Sequence, residues 1–189
     1  MTFPAPSPDY LGPAKFHGDA DNKPINRIVL HSTVGPTKKG SARGVAKYFR
    51  DSVTRPSSAH YVVDAGEVVQ VVFDSVVAYH APPNTHSIGV EMCDYPAEDS
   101  TKRWDDDDHR ALLVNAARLV AELCLAYDVP PYFVDSEGLL AGHRGVTTHA
   151  CVRDAWHETD HWDPGAWPRH RFMREVRKQY NAIKKAASK

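Results

Sequence analysis

The chain has 189 residues, with 23 Lys and Arg against 24 Asp and Glu and a formal net charge of -1. That length suits one domain with a substantial core and is short for two. The near-neutral balance gives no global pull toward nucleic acid or an anionic membrane, and no apolar stretch approaches the roughly 20 residues of a membrane span. Three cysteines, Cys93, Cys124 and Cys151, make an odd set without a CxxC pair, a poor framework for disulfides or a structural metal cluster. The opening Met1-Thr2-Phe3-Pro4-Ala5-Pro6 lacks a basic segment followed by an apolar one. The expectation is therefore a product made in the cytoplasm without a signal peptide.

Residues 1–25, rich in Pro, Gly and Asp, read as an irregular lead-in. Asn26–His31 is a short apolar run of strand length ending in His31. After a turn at Pro36–Gly40, Ser41 can cap a helix through about Asp51, with Val45, Tyr48 and Phe49 facing inward. His60–Val63 and Glu67–Phe73 read as strands joined by a tight turn at Asp64-Ala65-Gly66. Val77–His80 and Ser87–Met92 are two further short strands. An acidic lead at Asp105–Asp108 opens the clearest helix, about His109 to Tyr127, whose Leu112, Leu113, Ala116, Leu119, Val120 and Leu123 recur at helical spacing. Leu139–Gly142 reads as a strand leading into His143, followed by a long loop to about Gly165. A basic helix and tail over 168–189 closes the chain. From Arg169 onward eight Lys or Arg face one acidic residue, Glu175: a solvated helix face, or a contact for anionic wall polymer or a linker to a further module. The pattern predicts an α/β single domain with a central mixed β-sheet flanked by helices.

Eleven histidines are many for this length, and five fall between His143 and His170. His31, at the end of its strand, pairs with two distant signals, Gly142-His143-Arg144 and Trp162-Asp163-Pro164-Gly165. Two imidazoles and a carboxylate delivered by separate elements suit a hydrolytic zinc site, with ligands at about 2.0–2.2 Å and the fourth tetrahedral position open. The expected metal ligands are His31, His143 and Asp163, with His149, Cys151 and His157 as competitors in the same loop.

The runs Ile28-Val29-Leu30-His31-Ser32-Thr33, Ser58-Ala59-His60-Tyr61-Val62-Val63-Asp64, Asn84-Thr85-His86-Ser87-Ile88-Gly89-Val90-Glu91-Met92, Gly142-His143-Arg144 and Asp163-Pro164-Gly165 occur in this order. Together they resemble the type-2 N-acetylmuramoyl-L-alanine amidases, which share a fold with bacteriophage lysozyme-type amidases and the peptidoglycan recognition proteins. The resemblance covers roughly residues 10–175. It implies a zinc amidase that cuts between the lactyl group of N-acetylmuramic acid and L-alanine. Carried over position by position, it implies Zn2+ held by His31, His143 and Asp163. Glu91 then matches the acid that assists water in one branch, and His161 stands where many members have a Lys near the scissile carbonyl. His60 lies near the place of another branch's catalytic Tyr; Ala59 stands where that Tyr is expected, which favours the Glu-dependent variant. The loop Tyr79–Pro83 with Asn84 is expected to line the groove, so His60, His80 and Asn84 are assigned to substrate binding.

The resemblance implies peptidoglycan as partner, with no nucleic acid, no membrane insertion and a monomer as default. A phage endolysin released through a holin-type pore is the expected setting. A muropeptide-recycling amidase, a stem-peptide zinc peptidase and a non-catalytic peptidoglycan-binding module are the alternatives.

Overall fold

The computed structural model describes residues 3–21 and 23–188; Met1, Thr2 and Asn22 of the lead-in and Lys189 of the basic tail lie outside them. Six strands form one mixed sheet in the order β1-β5-β4-β7-β3-β8: β1 is Asp9–Tyr10, β3 Arg27–Ser32, β4 Tyr61–Val63, β5 Val68–Gln70, β7 Ser87–Met92 and β8 Gly145–Thr148. Strands β4, β7, β3 and β8 run parallel, and β5 turns back antiparallel to β4. That hairpin closes as expected, because Asp64 Oδ1 accepts from the backbone N–H groups of Gly66 and Glu67 at 2.7 and 2.9 Å. A separate pair joins β2 (His17–Ala20) to β6 (Val76–Ala78).

Alternation along the strands divides the interior into two layers. Ile28, Leu30, Tyr61, Val63, Ile88, Val90 and Met92 face α2 (Asp107–Ala126) and α5 (Arg169–Ala187), meeting Leu112, Leu123, Phe172 and Val176. Each such leucine or phenylalanine contributes about 1.5–3 kcal/mol by burial. The opposite face carries α1 (Ser41–Asp51), whose Ala42, Ala46 and Phe49 cover Val62, Val69 and Val71. It also carries α3 (Ser136–Leu140) and α4 (His149–Trp156), which cover Val29. Helix α2 begins where the carboxylates predicted: Asp106 accepts from the His109 N–H at 2.8 Å.

Four expectations change. Leu139–Gly142 is not a strand; Asp135 caps Gly138 N–H and starts α3 instead. The stretch expected as a long loop holds β8 and α4. The lead-in contributes two short strands, exposed and without apolar alternation, which is why pattern did not reveal them. Helix α1 is entered through Gly40 at φ 89° rather than a Ser41 cap, and it buries Ala42, Ala46 and Phe49, leaving Tyr48 exposed.

Candidate metal centre

Strands β3, β7 and β8 all point the same way, so their carboxyl ends open on one side of the sheet, where sheet enzymes collect ligands. His31 sits at the end of β3, paired in register with Glu91 on β7. His149 follows the last residue of β8 and begins α4, one step beyond the Leu30–Thr148 pair, which puts it beside His31. Asp163 returns from the following loop, anchored by Ala150 N–H donating to its carbonyl at 3.0 Å and Ser32 N–H donating to Oδ2 at 3.1 Å.

These three buried side chains form the His/Asp group able to hold a metal among the described residues. Nδ1 of His31 lies 3.0 Å from Nδ1 of His149 and 3.4 Å from Asp163 Oδ2, and His149 Nδ1 lies 3.1 Å from Asp163 Oδ1. Ligand atoms around a tetrahedral zinc at about 2.0–2.1 Å stand roughly 3.3 Å apart, so the spacing fits that ion. The charges fit too. Burial raises the Asp163 carboxyl, but hydrogen bonds from His149 and His31 and the charge of these imidazoles when protonated outweigh it and hold the group well below the usual carboxylate range. Burial keeps His31 below its ordinary value, favouring the neutral imidazole a metal requires.

The expected ligand His143 is not in this group. It precedes β8, at the amino end of that strand, and is exposed. A strand's rise of about 3.3 Å per residue puts it on the order of 15–20 Å from His31 along the sheet. His149, named in sequence only as a competitor, takes its place; the signal that pointed to it was the β-branched run Val146-Thr147-Thr148 immediately before it. The other competitors, Cys151 and His157, are outside the group.

A cavity of about 640 Å³ opens above the three residues, lined also by Glu91, His80 and His161 and farther out by Tyr48, Arg55, Tyr79 and Trp162. Glu91 Oε2 is buried without a hydrogen-bond partner among the described residues. Burial, then the charge of Asp163, pushes this carboxyl up to about 8. The exposed His161 ring stacks on His149 with centroids 4.9 Å apart, and its Nδ1 lies 3.8 Å from Asp163 Oδ1.

Two residues expected to touch substrate do not line this cavity. His60 is buried, donating from Nε2 to Val76 O at 3.0 Å and accepting Gly89 N–H at Nδ1 at 2.9 Å; it is an interior strut. Asn84 folds its own loop, its Oδ1 accepting from His80 and Ala81 N–H at 2.9 and 2.8 Å. His80 borders the cavity, but both of its ring nitrogens are engaged within the protein.

A buried clamp that sequence reading missed supports the Asp163 loop. Arg103 grips the fully buried Asp94 through Nε and one terminal nitrogen at 2.9 and 2.8 Å, and its other nitrogen donates to Ala166 O at 2.8 Å. Gly165, at φ 67°, packs its Cα against Ala97 O, where a Cβ would come within 2.4 Å.

In the solved structures the fold recurs. A crystal structure of Staphylococcus aureus hydrolase AmiA in complex with its ligand superposes with a TM-score of 0.69 at 18% identity, covering 94% of this chain and 85% of that one. The structure of PlyL gives 0.56 at 17% identity, covering 90% and 97%. Among curated proteins, a probable N-acetylmuramoyl-L-alanine amidase of Bacillus licheniformis is 33% identical over 151 residues, covering 69% of this chain. The amidase CwlL of the same organism is 32% identical over 144 residues, covering 67%. The chain spans 38% and 36% of the length of these two relatives. The family model described as N-acetylmuramoyl-L-alanine amidase matches residues 21–166, from before β3 through Asp163 and the loop that fixes it, so the chain belongs to that amidase family.

Proposed function

We propose that this protein hydrolyses the amide between the lactyl group of N-acetylmuramic acid and L-alanine in peptidoglycan, using zinc held by His31, His149 and Asp163. One observation carries the reading: two imidazole nitrogens and an ionised carboxylate converge at 3.0–3.4 Å beneath an open cavity that also contains an unpartnered acid. A bound zinc ion supplies Lewis-acid polarisation of a carbonyl and activation of water at neutral pH. Glu91, whose Oε2 has no hydrogen-bond partner among the described residues, would take a proton from water once a dication beside it favours the carboxylate form, and pass it to the departing amine of L-alanine. His161, at the rim, offers a ring N–H to the carbonyl oxygen as charge develops there. The aromatic faces of Tyr48, Tyr79 and Trp162 suit sugar rings, and Arg55 suits a stem-peptide carboxylate. A binding-only module on this fold has no need of the complete ligand set together with a buried, unpaired Glu91. Lysis of the wall in the manner of a phage endolysin is the setting we attach to the activity.

Purified protein incubated with peptidoglycan is expected to release free alanine amino termini, to stop with chelator and to resume with added zinc. Absence of those termini with zinc present overturns the amidase reading. His149→Ala is expected to lose zinc and activity while His143→Ala keeps both; the reverse pattern returns the second ligand to His143. A fall in turbidity of intact walls, rather than cleavage of soluble muropeptides alone, separates lysis from recycling.

A further inference from the structure

We propose that Ser87 and His80 form a proton-orienting relay that fixes which nitrogen of His31 faces the metal. The proposal rests on the reading of His31, His149 and Asp163 as a zinc site. The relay starts at a backbone carbonyl. Ser87 Oγ lies 2.6 Å from Asn84 O, and a carbonyl only accepts, so the hydroxyl proton is committed there. Ser87 Oγ also lies 3.0 Å from His80 Nε2; with the hydroxyl proton used, the N–H in this contact belongs to His80. A neutral His80 then has a bare Nδ1, which must accept. Its neighbour, at 3.1 Å, is His31 Nε2, so that nitrogen carries a proton.

The consequence falls on the opposite side of the His31 ring. With Nε2–H committed to His80, the lone pair of Nδ1 is the one left for a cation, and Nδ1 is the atom turned toward His149 and Asp163. The outcome holds whether or not His31 carries a second proton, because only a proton on Nδ1 is displaced when metal binds. His149 is held the other way in metal-free protein: its Nδ1 lies 3.1 Å from Asp163 Oδ1, which only accepts, so the proton sits on Nδ1 until a metal displaces it. Its Nε2 contacts Thr159 Oγ1 at 3.2 Å, and a hydroxyl can donate or accept. One imidazole is thus preset for the metal and the other adjusts when it binds.

The relay is built into the sheet. Ser87, Gly89 and Glu91 alternate along β7 and share the face that meets the site. Ser87 holds the far nitrogen of His80, and Gly89 leaves room for its ring: a Cβ there would lie 2.6 Å from His80 Cγ. The carbonyl at the start is itself held, since Asn84 Oδ1 caps the turn and Arg27 donates to Pro83 O and to Thr85 O. His80 and Ser87 are therefore positioning residues.

Zinc affinity by chelator competition, read with long-range 15N–1H spectra of the His31 ring in metal-free protein, tests the relay. His80→Ala is expected to weaken zinc about 10–100-fold and to mix the His31 tautomers. His80→Asn, whose Oδ1 can stand where Nδ1 accepted, is expected to restore affinity close to wild type and the Nε2–H signal. Ser87→Ala is expected to fall between them. Far-UV circular dichroism on each variant separates a local effect from unfolding. Wild-type affinity and an unmixed Nε2–H tautomer in a folded His80→Ala overturn the proposal, as does a folded His80→Asn no better than the alanine variant. If wild-type protein releases no alanine termini while the zinc and tautomer results hold, the amidase reading fails and the relay stands.

Discussion

At Gly89 the absence of one methyl group decides where a buried imidazole lies. The His80 ring rests on the Gly89 backbone, and a Cβ at 2.6 Å has no flexible chain end to push aside. Gly89→Ala is expected to displace His80, leave His31 without its partner and weaken zinc about 10–100-fold, with strand content retained. Gly44→Ala on α1, where an added Cβ meets nothing, is the control and should leave zinc affinity unchanged. Equal zinc affinities in the two variants would show that the ring tolerates displacement. Single-residue reading of the sequence picked out His31, Glu91 and Asp163, which end or follow recognisable elements and which the structure brings to one cavity. It picked His143 rather than His149, because Gly142-His143-Arg144 carries no sign of strand direction. Only the parallel pairing of β8 with β3 shows that the residue after the strand, His149, reaches the site while the one before it cannot.

Elements with a continuous apolar stripe were legible, and those built around the site were not. Helix α2 buries ten apolar residues and could be read directly from its period. Helix α4 buries His149, Val152 and Ala155, a polar and two modest apolar groups, so its inner face carries no strong apolar signal. The loop after α4 is legible only through its Asp163-Pro164-Gly165 run, and what holds it is tertiary. Arg103, from the 3₁₀ turn Lys102–Asp105, ties Asp94 to the carbonyls that follow Asp163. Removing one partner of a fully buried ion pair costs about 3–5 kcal/mol; Asp94 keeps His109 Nε2 at 3.1 Å and Arg103 is part-exposed, so about 2–3 kcal/mol is expected here. Arg103→Met is therefore expected to lower stability in urea by about that amount and to weaken zinc binding through a loosened Asp163. A loss below about 1 kcal/mol would mean that the clamp is not what fixes this loop.

Across the whole molecule, the layer between the sheet and helices α1 and α4 holds three imidazoles, His31, His60 and His80, that burial shifts down and one acid, Glu91, that it shifts up; these groups shape how stability follows pH between 5 and 8. Burial pushes His60 down to about 4 and keeps His31 and His80 below their ordinary values, whereas burial and Asp163 push Glu91 up to about 8. Unfolded histidines titrate near 6.5, so between about 4 and 6.5 the unfolded chain binds more protons than the folded one, and the histidine contribution disappears as pH falls. For His60 alone this amounts to about 3 kcal/mol. Glu91 acts in the opposite sense: its folded form keeps a proton that the unfolded chain has lost above about 4.5, so its contribution disappears as pH rises toward 8. The histidines outnumber the acid below 6.5, and Glu91 acts without them above it. Metal-free protein is therefore expected to be most stable near pH 6.5, falling by about 2 kcal/mol toward pH 8 at about 1.4 kcal/mol per pH unit. Urea titrations across pH 5 to 8 measure the profile, and Glu91→Gln, which cannot ionise, should level the alkaline side while leaving the acid side intact. An alkaline decline of the same size in Glu91→Gln would assign that limb to another group and remove the elevated Glu91 carboxyl from the account of this site.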